Sequence, residues 1–489
     1  MGTIQRQGFF NIIIVYAGVL LGFVNTVLVQ PKFMNVNEVG LVRVIFSFSG
    51  FLTPFLIVGS SNMCQKFFPA FRDREKRHHG FFGFMLLVSI VGIVISGLVI
   101  FIIKDWILRR YTESPLFVNY FGWTFVLSVL MSISIALNIY CNSLFKSVFP
   151  SFLNDIWVRV LLILFTIAYS FGWMNLDQFV ISICVIYVSQ LLLLIIYILL
   201  VDRPGLKIDW TFAKKIGIGA MLKFALLMMI SSLSSLSLKF LDGIMIAAYL
   251  PLSFAAVFAI GALLSQFIEV PLNPLERIAG SRIAHAFQEN NLAEIKEIYY
   301  RSVKYLFLLG GLLFAGIVCN VHDFLMLLPS EYRDAANVTI ILSAGSIINM
   351  ATGVNSPILM NSSKYIYGTL FLFLLLILGV GLNMLLIPYF GIEGAAIATC
   401  AASSAYNLMK FAYIWKKFGM QPYDGNTMKT ILVIGISVAA GFLVPLPFKP
   451  LLAVFIRSAM IVLLYGGTVF FLRIVPEYHG MAGKFIGRR

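Results

Sequence analysis

Residues 81–103 read FFGFMLLVSIVGIVISGLVIFII, a run of 23 residues without a charged side chain. A helix of that length is about 35 Å long, enough to cross the hydrocarbon core of a bilayer, which is about 30 Å thick. The run does not alternate between polar and apolar residues, as the strands of a membrane barrel do. It therefore predicts a transmembrane helix.

The rest of the chain repeats this pattern. Hydrophobic residues make up 60% of the 489 residues and charged residues only 12%, a balance that would leave a soluble domain with large exposed apolar patches. The predicted fold is an all-α integral membrane protein with 14 transmembrane helices. We place these helices approximately at residues 9–30, 41–63, 81–103, 117–141, 152–173, 178–201, 216–238, 242–268, 303–321, 335–358, 366–387, 393–414, 428–446 and 451–473.

The positive charges indicate the orientation of the helices. The net charge is +15, and 26 of the 36 Lys and Arg residues fall on one side of the membrane when successive helices alternate in direction. Because cytoplasmic loops are enriched in Lys and Arg, that side is predicted to be cytoplasmic and to hold both termini. The basic segment 66–80 would attract anionic headgroups, and its His78 and His79 are expected to be exposed. The charge does not indicate nucleic-acid binding, because no soluble module carries basic runs interleaved with aromatic residues.

A weak internal repeat suggests two lobes. Residues 39–41 (VGL) correspond to residues 255–257 (AAV), and Pro54 corresponds to Pro271, at an offset of 216 or 217 residues. Duplicated halves are common in transporters. We therefore predict two pseudo-symmetric six-helix lobes plus two C-terminal helices: an N-terminal lobe (1–201), a cytoplasmic linker (202–215), a C-terminal lobe (216–414) and a last segment with helices 13 and 14 and the tail (415–489).

The segment from Asn383 to Tyr406 reads NMLLIPYFGIEGAAIATCAASSAY and resembles the signature of polysaccharide exporters of the MOP superfamily, which include the Wzx-type flippases of lipid-linked oligosaccharides. Residues 241–246 (LDGIMI) are similar to the opening of the family's eighth helix, and Asn25, Pro31 and Gly40 follow its N-terminal pattern. Residues 223–225 depart from the pattern, because relatives often carry a proline in the seventh helix. The matching signature residues are Asn383, Pro388, Gly391, Gly394, Ala395, Ala396, Ala398 and Thr399.

The signature residues also have a structural interpretation. Pro388 and Gly391 interrupt the apolar run and indicate a short turn. Gly394 and Ala395 begin a helix with little side-chain bulk, and small residues let membrane helices approach each other closely. We therefore interpret the signature as a packing feature and not as a binding site.

Two arginines within the predicted helices are the main candidates for binding a substrate, because a charge at membrane depth needs water or a partner. Arg43 shares a helix face with Ser47 and Gly50, and it either lines a cavity for an anionic substrate or extends to the outer headgroups. Arg159 either pairs with Asp155 one turn before it or binds phosphate in a central cavity, which suits the forked donors of a guanidinium.

Five further residues complete the candidate set. Lys239 and Asp242 are expected at an outer turn between helices seven and eight, where mutual pairing is favoured over a substrate role. Ser231 and Ser235 belong to a serine-rich seventh helix, whose hydroxyls are interpreted first as packing groups and second as sugar contacts. Asn25 in the first helix is a weaker candidate. We assign no residue to catalysis, a metal or a cofactor, and a coupling ion is left open.

The resemblance, together with the cationic residues, implies a flippase. It would move a polyprenyl-pyrophosphate-linked oligosaccharide to the outer leaflet of a bacterial inner membrane by alternating access, for the synthesis of a cell-surface polysaccharide such as lipopolysaccharide. A polymerase or glycosyltransferases of the same pathway would be its protein partners. A lipid II flippase and a cation-coupled multidrug exporter are the alternatives, the latter disfavoured because residues 9–30 contain no Asp or Glu. An enzyme is not expected, because the chain has no nucleophile–base cluster and no nucleotide-binding motif.

Overall fold

The computed structural model describes the backbone of residues 3–444 and 448–474, and their side chains except those of 3–6, 8–9 and 234–239. Every regular element in this described part is a helix, which confirms the predicted all-α class. The chain divides by its internal contacts into two compact units, which we call the first unit (Met1–Ala256) and the second unit (Val257–Arg489). The lobe boundaries derived from the sequence repeat stay a prediction.

Helices α1 to α11 lie in the first unit, together with two π-helical turns and one 3-10 turn. In chain order the elements are α1 (Thr3–Phe23), a first π turn (Val24–Val29), α2 (Gln30–Phe33), α3 (Val36–Ile57), α4 (Ser60–Phe71), a 3-10 turn (Arg77–Gly80), α5 (Phe81–Leu108), α6 (Pro115–Ser143), α7 (Val148–Phe152), a second π turn (Leu153–Trp157), α8 (Val158–Ser170), α9 (Leu176–Val201), α10 (Trp210–Ile216) and α11 (Ile218–Tyr249).

Helix α12 begins in the first unit and continues into the second, which holds the remaining helices. These elements are α12 (Leu252–Gln266), a 3-10 turn (Phe267–Glu269), α13 (Leu272–Gln288), α14 (Leu292–Leu325), a 3-10 turn (Ser330–Tyr332), α15 (Ala335–Ala351), α16 (Asn355–Asn361), α17 (Tyr365–Phe418), α18 (Gly425–Leu443) and α19 (Pro450–Phe471). Within the second unit, α14 packs against α15, α18 and α19, and α17 packs against α15 and α16.

The described helices account for a membrane protein with many crossings. Twelve of them are long and apolar enough to span a bilayer, and a thirteenth crossing results if α10 and α11, bent by 69°, form one span. Helix α17 has 54 residues, about 80 Å if it were straight, which is the length of two crossings. Each of the fourteen predicted crossings therefore has a helical counterpart, two of them within α17.

Helix α17 reverses its direction at Gly391. This residue has φ 57° and ψ −136°, a backbone conformation that residues with a Cβ atom rarely adopt. Residues 386 and 394 would lie about 12 Å apart in a straight helix, yet a methyl group on Gly394 would overlap the carbonyl oxygen of Leu386. The predicted helices 11 and 12 are therefore the two arms of a hairpin.

The predicted turn between helices seven and eight is wrong. Lys239 and Asp242 lie inside α11, which continues to Tyr249, and the break comes at Leu250 and Pro251. Two charges interrupt an apolar run but leave the helical hydrogen bonds intact, whereas proline has no N–H to continue them. The eighth crossing therefore begins at Leu252 and not near residue 242.

Helix α3 packs against α5, α6 and α11 in the first unit, and its beginning meets the beginning of α12. A methyl group on Gly40 would overlap the carbonyl oxygen of Leu252, and the backbone N–H of Ser253 donates to Oδ1 of Asn37 over 3.1 Å. Residues 37 and 253 are separated by 216 positions, the offset of the sequence repeat. Equivalent positions of the repeat are therefore in direct contact.

The basic segment 66–80 folds back onto the helix ends instead of projecting from them. His78 is 1% exposed, contrary to the prediction, and its Nε2 is 2.9 Å from Oδ1 of Asp202. Tyr140 donates to Oδ2 of the same carboxylate over 2.6 Å. The backbone N–H of Asp73 donates to Nδ1 of His78, so the neutral ring carries its proton on Nε2 and donates to Asp202. The imidazole is buried because each of its nitrogens has a partner.

Candidate functional site

Two π-helical turns lie at one helix contact in the first unit. Helix α1 packs against the second π turn, and the first π turn packs against α8. A π turn inserts an extra residue into a helix, disturbs the regular side-chain register and occurs frequently at functional sites. The contact between the first and fifth crossings is therefore a candidate functional site.

Arg159 lies at this contact, two residues after the second π turn, and its side chain packs against α1. A methyl group on Gly18 would lie 2.7 Å from Nη1 of Arg159, and one on Gly22 would lie 3.5 Å from the guanidinium. A methyl group at residue 18 would clash with the guanidinium and with Asp155, whereas one at residue 22 would be in ordinary contact with the guanidinium. Gly18 and Gly22, one turn apart, therefore leave space on α1 in which the guanidinium of Arg159 packs.

The guanidinium of Arg159 makes no hydrogen bond within the described part of the chain. Its Nη1 is fully buried and unpaired, and the contact ion pair with Asp155 that the spacing suggested is not formed. The physical reason is the second π turn, which contains Asp155 and shifts the i, i+4 register. Asp155 and Tyr187 remain within electrostatic reach of Arg159.

Arg43 contacts the other end of the same stretch of the first crossing. Its Nη2 donates to Oε1 of Gln30, a fully buried residue at the start of α2. Between the two arginines lies Asn25 in the first π turn, 4% exposed, whose Oδ1 accepts no hydrogen bond from the described residues. The distance along the helix from Gly18 to Gln30 is about 18 Å. We call this group the helix-1 site; it consists of Gly18, Gly22, Asn25, Gln30, Arg43 and Arg159.

The small face of α3 below Arg43 is a packing surface and not a cavity lining. Gly243 of α11 sits against Ser47, where a methyl group would lie 2.5 Å from Oγ, and Phe240 lies against Gly50. Small residues at such positions let two membrane helices approach closely. Of the face that was a candidate cavity lining, Arg43 therefore belongs to the helix-1 site, and Ser47 and Gly50 do not.

The remaining candidates lie along α11. Asp242 is 5% exposed, and Ser231 is partly buried. Ser235 and Lys239 lie outside the residues whose side chains are described, so their roles stay predictions. A neighbouring hydroxyl, Oγ of Ser232, accepts a hydrogen bond from Nδ2 of Asn62 over 3.3 Å, which joins α11 to α4.

The signature residues are arranged around the hairpin of α17. Asn383 is fully buried and donates to the carbonyl oxygen of Gly379 over 2.9 Å. Pro388 precedes the reversal, and Gly391 forms it. Ala395 is fully buried in the second arm. Thr399 is partly buried further along that arm. These positions allow two antiparallel helices to meet at a tight turn.

The second unit contains an apolar cavity of about 360 Å³ between α12, α14 and α19. This volume lies within the range of small-molecule sites. Among the polar side chains of its lining, Asn320 donates from Nδ2 to Oγ of Ser458 over 3.2 Å, while Oδ1 of Asn320 is buried and accepts no hydrogen bond from the described residues. The rest of the lining is apolar and suits an apolar ligand. Its lining residues are Leu264, Leu312, Leu313, Gly316, Ile317, Asn320, Val321, Phe324, Val454, Ser458, Ile461 and Val462.

An ion pair closes the contact between α14 and α19 beside this cavity. Arg457 donates to Asp323 and to the carbonyl oxygen of Cys319, and its side chain is 11% exposed. Because its charge is neutralised by a carboxylate, Arg457 differs from Arg159 and is a structural residue.

One buried charge, in the second unit, was not predicted from the sequence. Lys410 is 2% exposed, although its place near the end of the twelfth predicted helix suggested a cytoplasmic charge. The only signal was that Lys410 lies four residues, about one turn, inside the predicted end of that helix. Metal ligation is not indicated, since no group of three or more His, Cys, Asp or Glu residues in the described part could hold a metal ion.

Known structures share the architecture of this chain. A structure of the lipid II flippase MurJ in an inward closed conformation superposes with a TM-score of 0.68 at 12% identity, over 96% of this chain and 98% of that one. The chain has the MurJ fold. An inward-facing multidrug resistance MATE family transporter of the MOP superfamily gives a TM-score of 0.62 at 16% identity, over 86% and 95%. The MATE multidrug transporter DinF-BH in complex with R6G gives 0.59 at 16% identity, over 86% and 97%. No family model and no curated protein sequence matches the chain.

The MurJ fold extends over almost the whole chain, whereas the two MATE structures leave uncovered a share close to that of α18, α19 and the tail. The proteins with this fold named above are a flippase and transporters, and none is an enzyme. The chain is accordingly a multi-pass membrane protein with the fold that these structures share.

Proposed function

We propose that this protein is a flippase for a polyprenyl-pyrophosphate-linked oligosaccharide, acting in the synthesis of a cell-surface polysaccharide such as lipopolysaccharide. The observation that carries the proposal is the guanidinium of Arg159, which lies within a predicted membrane crossing and has no hydrogen-bond partner in the described part of the chain. A cation at that depth is costly unless an anion or water meets it. A transported anionic headgroup would supply that anion.

The chemistry of the helix-1 site fits a pyrophosphate. A guanidinium binds two phosphate oxygens through parallel N–H donors and keeps its charge at all physiological pH values. Arg43 adds a second cation at the other end of the site, through its contact with Gln30. Asn25 between them presents an amide that could bind a sugar hydroxyl. Its Oδ1 accepts no hydrogen bond from the described residues, and a sugar hydroxyl would satisfy it.

The apolar cavity of the second unit fits the other end of such a substrate. An isoprenoid tail has no polar atoms, and the cavity between α12, α14 and α19 is lined almost entirely by aliphatic side chains. Burying an apolar chain there is favourable by about 25 cal/mol for each Å² removed from water. We assign the headgroup to the helix-1 site of the first unit. As a separate hypothesis, the cavity of the second unit binds an isoprenoid chain.

The transport step would be alternating access, in which the headgroup moves from the cytoplasmic leaflet to the outer leaflet of a bacterial inner membrane. The charge distribution favours a cytoplasmic location for both termini. Glycosyltransferases that build the oligosaccharide and a polymerase that consumes it would be the partners on the two sides.

The decisive experiment is a flipping assay with purified protein in vesicles. Polyprenyl-pyrophosphate oligosaccharides with a fluorescent label are placed in both leaflets, and the fraction that becomes accessible to an external quencher or glycosidase is followed over time. The proposal requires flipping of the lipid-linked oligosaccharide. It fails if only a cationic drug is transported, as a multidrug exporter would do.

Lipid II is the second candidate substrate. It shares the polyprenyl pyrophosphate, and the MurJ structure covers nearly the full chain. The two substrates differ in the glycan, so the same assay with lipid II in place of the oligosaccharide separates them. Complementation of strains that lack either an oligosaccharide flippase or a lipid II flippase is the matching test in cells.

Filling the apolar cavity should slow the flipping of a tailed substrate. Gly316 lines this cavity, and an added Cβ would meet no atom within 4 Å, so Gly316→Trp can fill the space without a backbone clash. We expect flipping to fall by about tenfold or more, because burial of a few prenyl carbons contributes well over 1 kcal/mol. Gly316→Ala is the control and should keep full activity. Unchanged flipping in a folded Gly316→Trp variant would exclude this cavity as the tail site.

A further inference from the structure

The connection between α9 and α11 (residues 202–217, which include α10) exposes apolar and cationic side chains together. Leu206 is 68% exposed and Trp210 is 47% exposed. Four cations of the same connection are also exposed, namely Arg203, Lys207, Lys214 and Lys215. Exposed apolar side chains flanked by Lys and Arg are typical of segments that lie in the interface of a membrane.

Helix α5 shows at which depth this connection lies. The exposed apolar side chains of α5 extend from Leu87 to Ile103, about 25 Å along the helix axis and close to the thickness of a hydrocarbon core. A methyl group on Gly83 would overlap the carbonyl oxygen of Leu206, so the connection crosses α5 one turn before Leu87. The crossing point is therefore about 6 Å outside the lipid-facing stretch, at the level of the headgroups.

Trp210 lies beside the same first turn of α5. Its ring meets that of Phe84 edge-on, with 6.2 Å between the ring centres. Phe84 is 3% exposed, so the indole covers a buried side chain with one part and exposes another. Tryptophan is enriched at membrane–water interfaces because its ring is apolar and its N–H is polar. The position of Trp210 thus agrees with the depth that Gly83 and Leu206 indicate.

The 3-10 turn before α5 holds the connection in this position. Asp202 accepts from His78, and Nδ1 of His79 is 3.1 Å from Oδ2 of Asp209. The backbone N–H of Asp209 donates to the carbonyl oxygen of His79 over 3.1 Å. The ring of His79 also stacks on Phe212, with 3.7 Å between the ring centres. Both acidic residues of the connection are thus bonded to histidines, and its four exposed cations remain available to an external anion.

We infer that the α9–α11 connection binds anionic phospholipids at the inner surface of the membrane. Leu206 and Trp210 insert beside the upper acyl carbons, and the four cations contact the headgroup phosphates. Each Lys or Arg near a membrane surface strengthens the attraction to anionic lipids by about fivefold. A zwitterionic headgroup has no net charge and lacks this attraction. The inference does not depend on the transported substrate.

The test measures quenching of Trp210 fluorescence by lipids with brominated acyl chains. Purified protein is placed in phosphatidylcholine vesicles that contain increasing fractions of one brominated lipid. The same series with Trp210→Phe is subtracted, and the difference is the signal of Trp210 alone. We expect half-quenching at an about tenfold lower fraction of brominated phosphatidylglycerol than of brominated phosphatidylcholine. Concentrated salt should weaken this preference, because it screens the charges.

A triple variant without three of the four cations should quench equally with both lipids. It combines Lys207→Gln, Lys214→Gln and Lys215→Gln. The control removes three exposed lysines of the second unit and should keep the wild-type preference; it combines Lys296→Gln, Lys416→Gln and Lys417→Gln.

Three results would overturn the inference. The first is that the wild type shows no preference for phosphatidylglycerol, or no quenching of Trp210 by either lipid. The second is a preference that persists in the triple variant. The third is displacement of phosphatidylglycerol by inorganic phosphate at constant ionic strength, which would indicate a site for free phosphate instead of a lipid surface.

Discussion

Arg159→Ala should lower flipping of a polyprenyl-pyrophosphate oligosaccharide by about 10- to 100-fold. The variant lacks the guanidinium and so loses its charge-assisted hydrogen bonds to the pyrophosphate. Such bonds contribute about 1.5–3 kcal/mol each. The rate is measured by the vesicle assay, and export in cells is measured by the amount of surface polysaccharide. Arg159→Lys keeps the charge but loses the fork of donors, so an intermediate rate is expected.

A substitution of Arg159 should abolish transport without lowering the stability of the protein. Because Nη1 of Arg159 is buried without a partner, the wild-type protein carries an uncompensated cost there. Arg159→Met, which keeps the bulk of the side chain, should therefore unfold at the same or a higher temperature while transport is lost. Arg301→Ala is the matched control, because Arg301 is 68% exposed and pairs with Glu297 on the surface. Full flipping activity in Arg159→Met would remove Arg159 from the mechanism.

Gly40→Val should destabilise the protein by about 3 kcal/mol or more. A side chain at this position would overlap the backbone carbonyl oxygen of Leu252, and a backbone atom cannot move aside as a flexible side chain can. Separating α3 from the start of α12 would also break the hydrogen bond from Ser253 to Asn37. The measurement is thermal unfolding in detergent, together with the yield of folded protein after purification.

A glycine in open space provides the control for this prediction. Gly122 lies within α6, and an added Cβ would meet no atom within 4 Å. Gly122→Ala should therefore be neutral or stabilising by about 0.5–1 kcal/mol, because alanine loses less backbone freedom in a helix. Equal stability of Gly40→Val and Gly122→Ala would show that α3 and α12 do not approach each other as described.

The crossings could be predicted because bilayer thickness sets a length that any apolar run must meet. The repeat offset of 216 residues was also readable, and the contact between Asn37 and Ser253 joins residues at that offset. The turn near Lys239 and Asp242 was wrong for a local reason. Hydropathy registers two charges as an interruption, whereas the helix ends where Pro251 removes a backbone donor.

The helix-1 site was only half visible in the sequence. Arg43 and Arg159 stood out as charges within apolar runs, but Gly18 and Gly22 looked like ordinary small residues of a membrane helix. The second π turn, which contains Asp155 and sets its register relative to Arg159, carries no compositional signal. The burial of Lys410 was missed because a lysine near a helix end usually extends to water.

Composition and charge alone determined that this chain crosses a membrane many times, since water excludes its apolar runs and the bilayer accepts them at one length. Tertiary structure alone decided which charges have partners. Arg457 pairs with a carboxylate and Lys410 donates to a hydroxyl, whereas the guanidinium of Arg159 packs against the glycines of α1 and makes no hydrogen bond to the described residues. Pairing depends on distances of a few ångströms between helices far apart in the chain, and hydropathy carries no information about those distances.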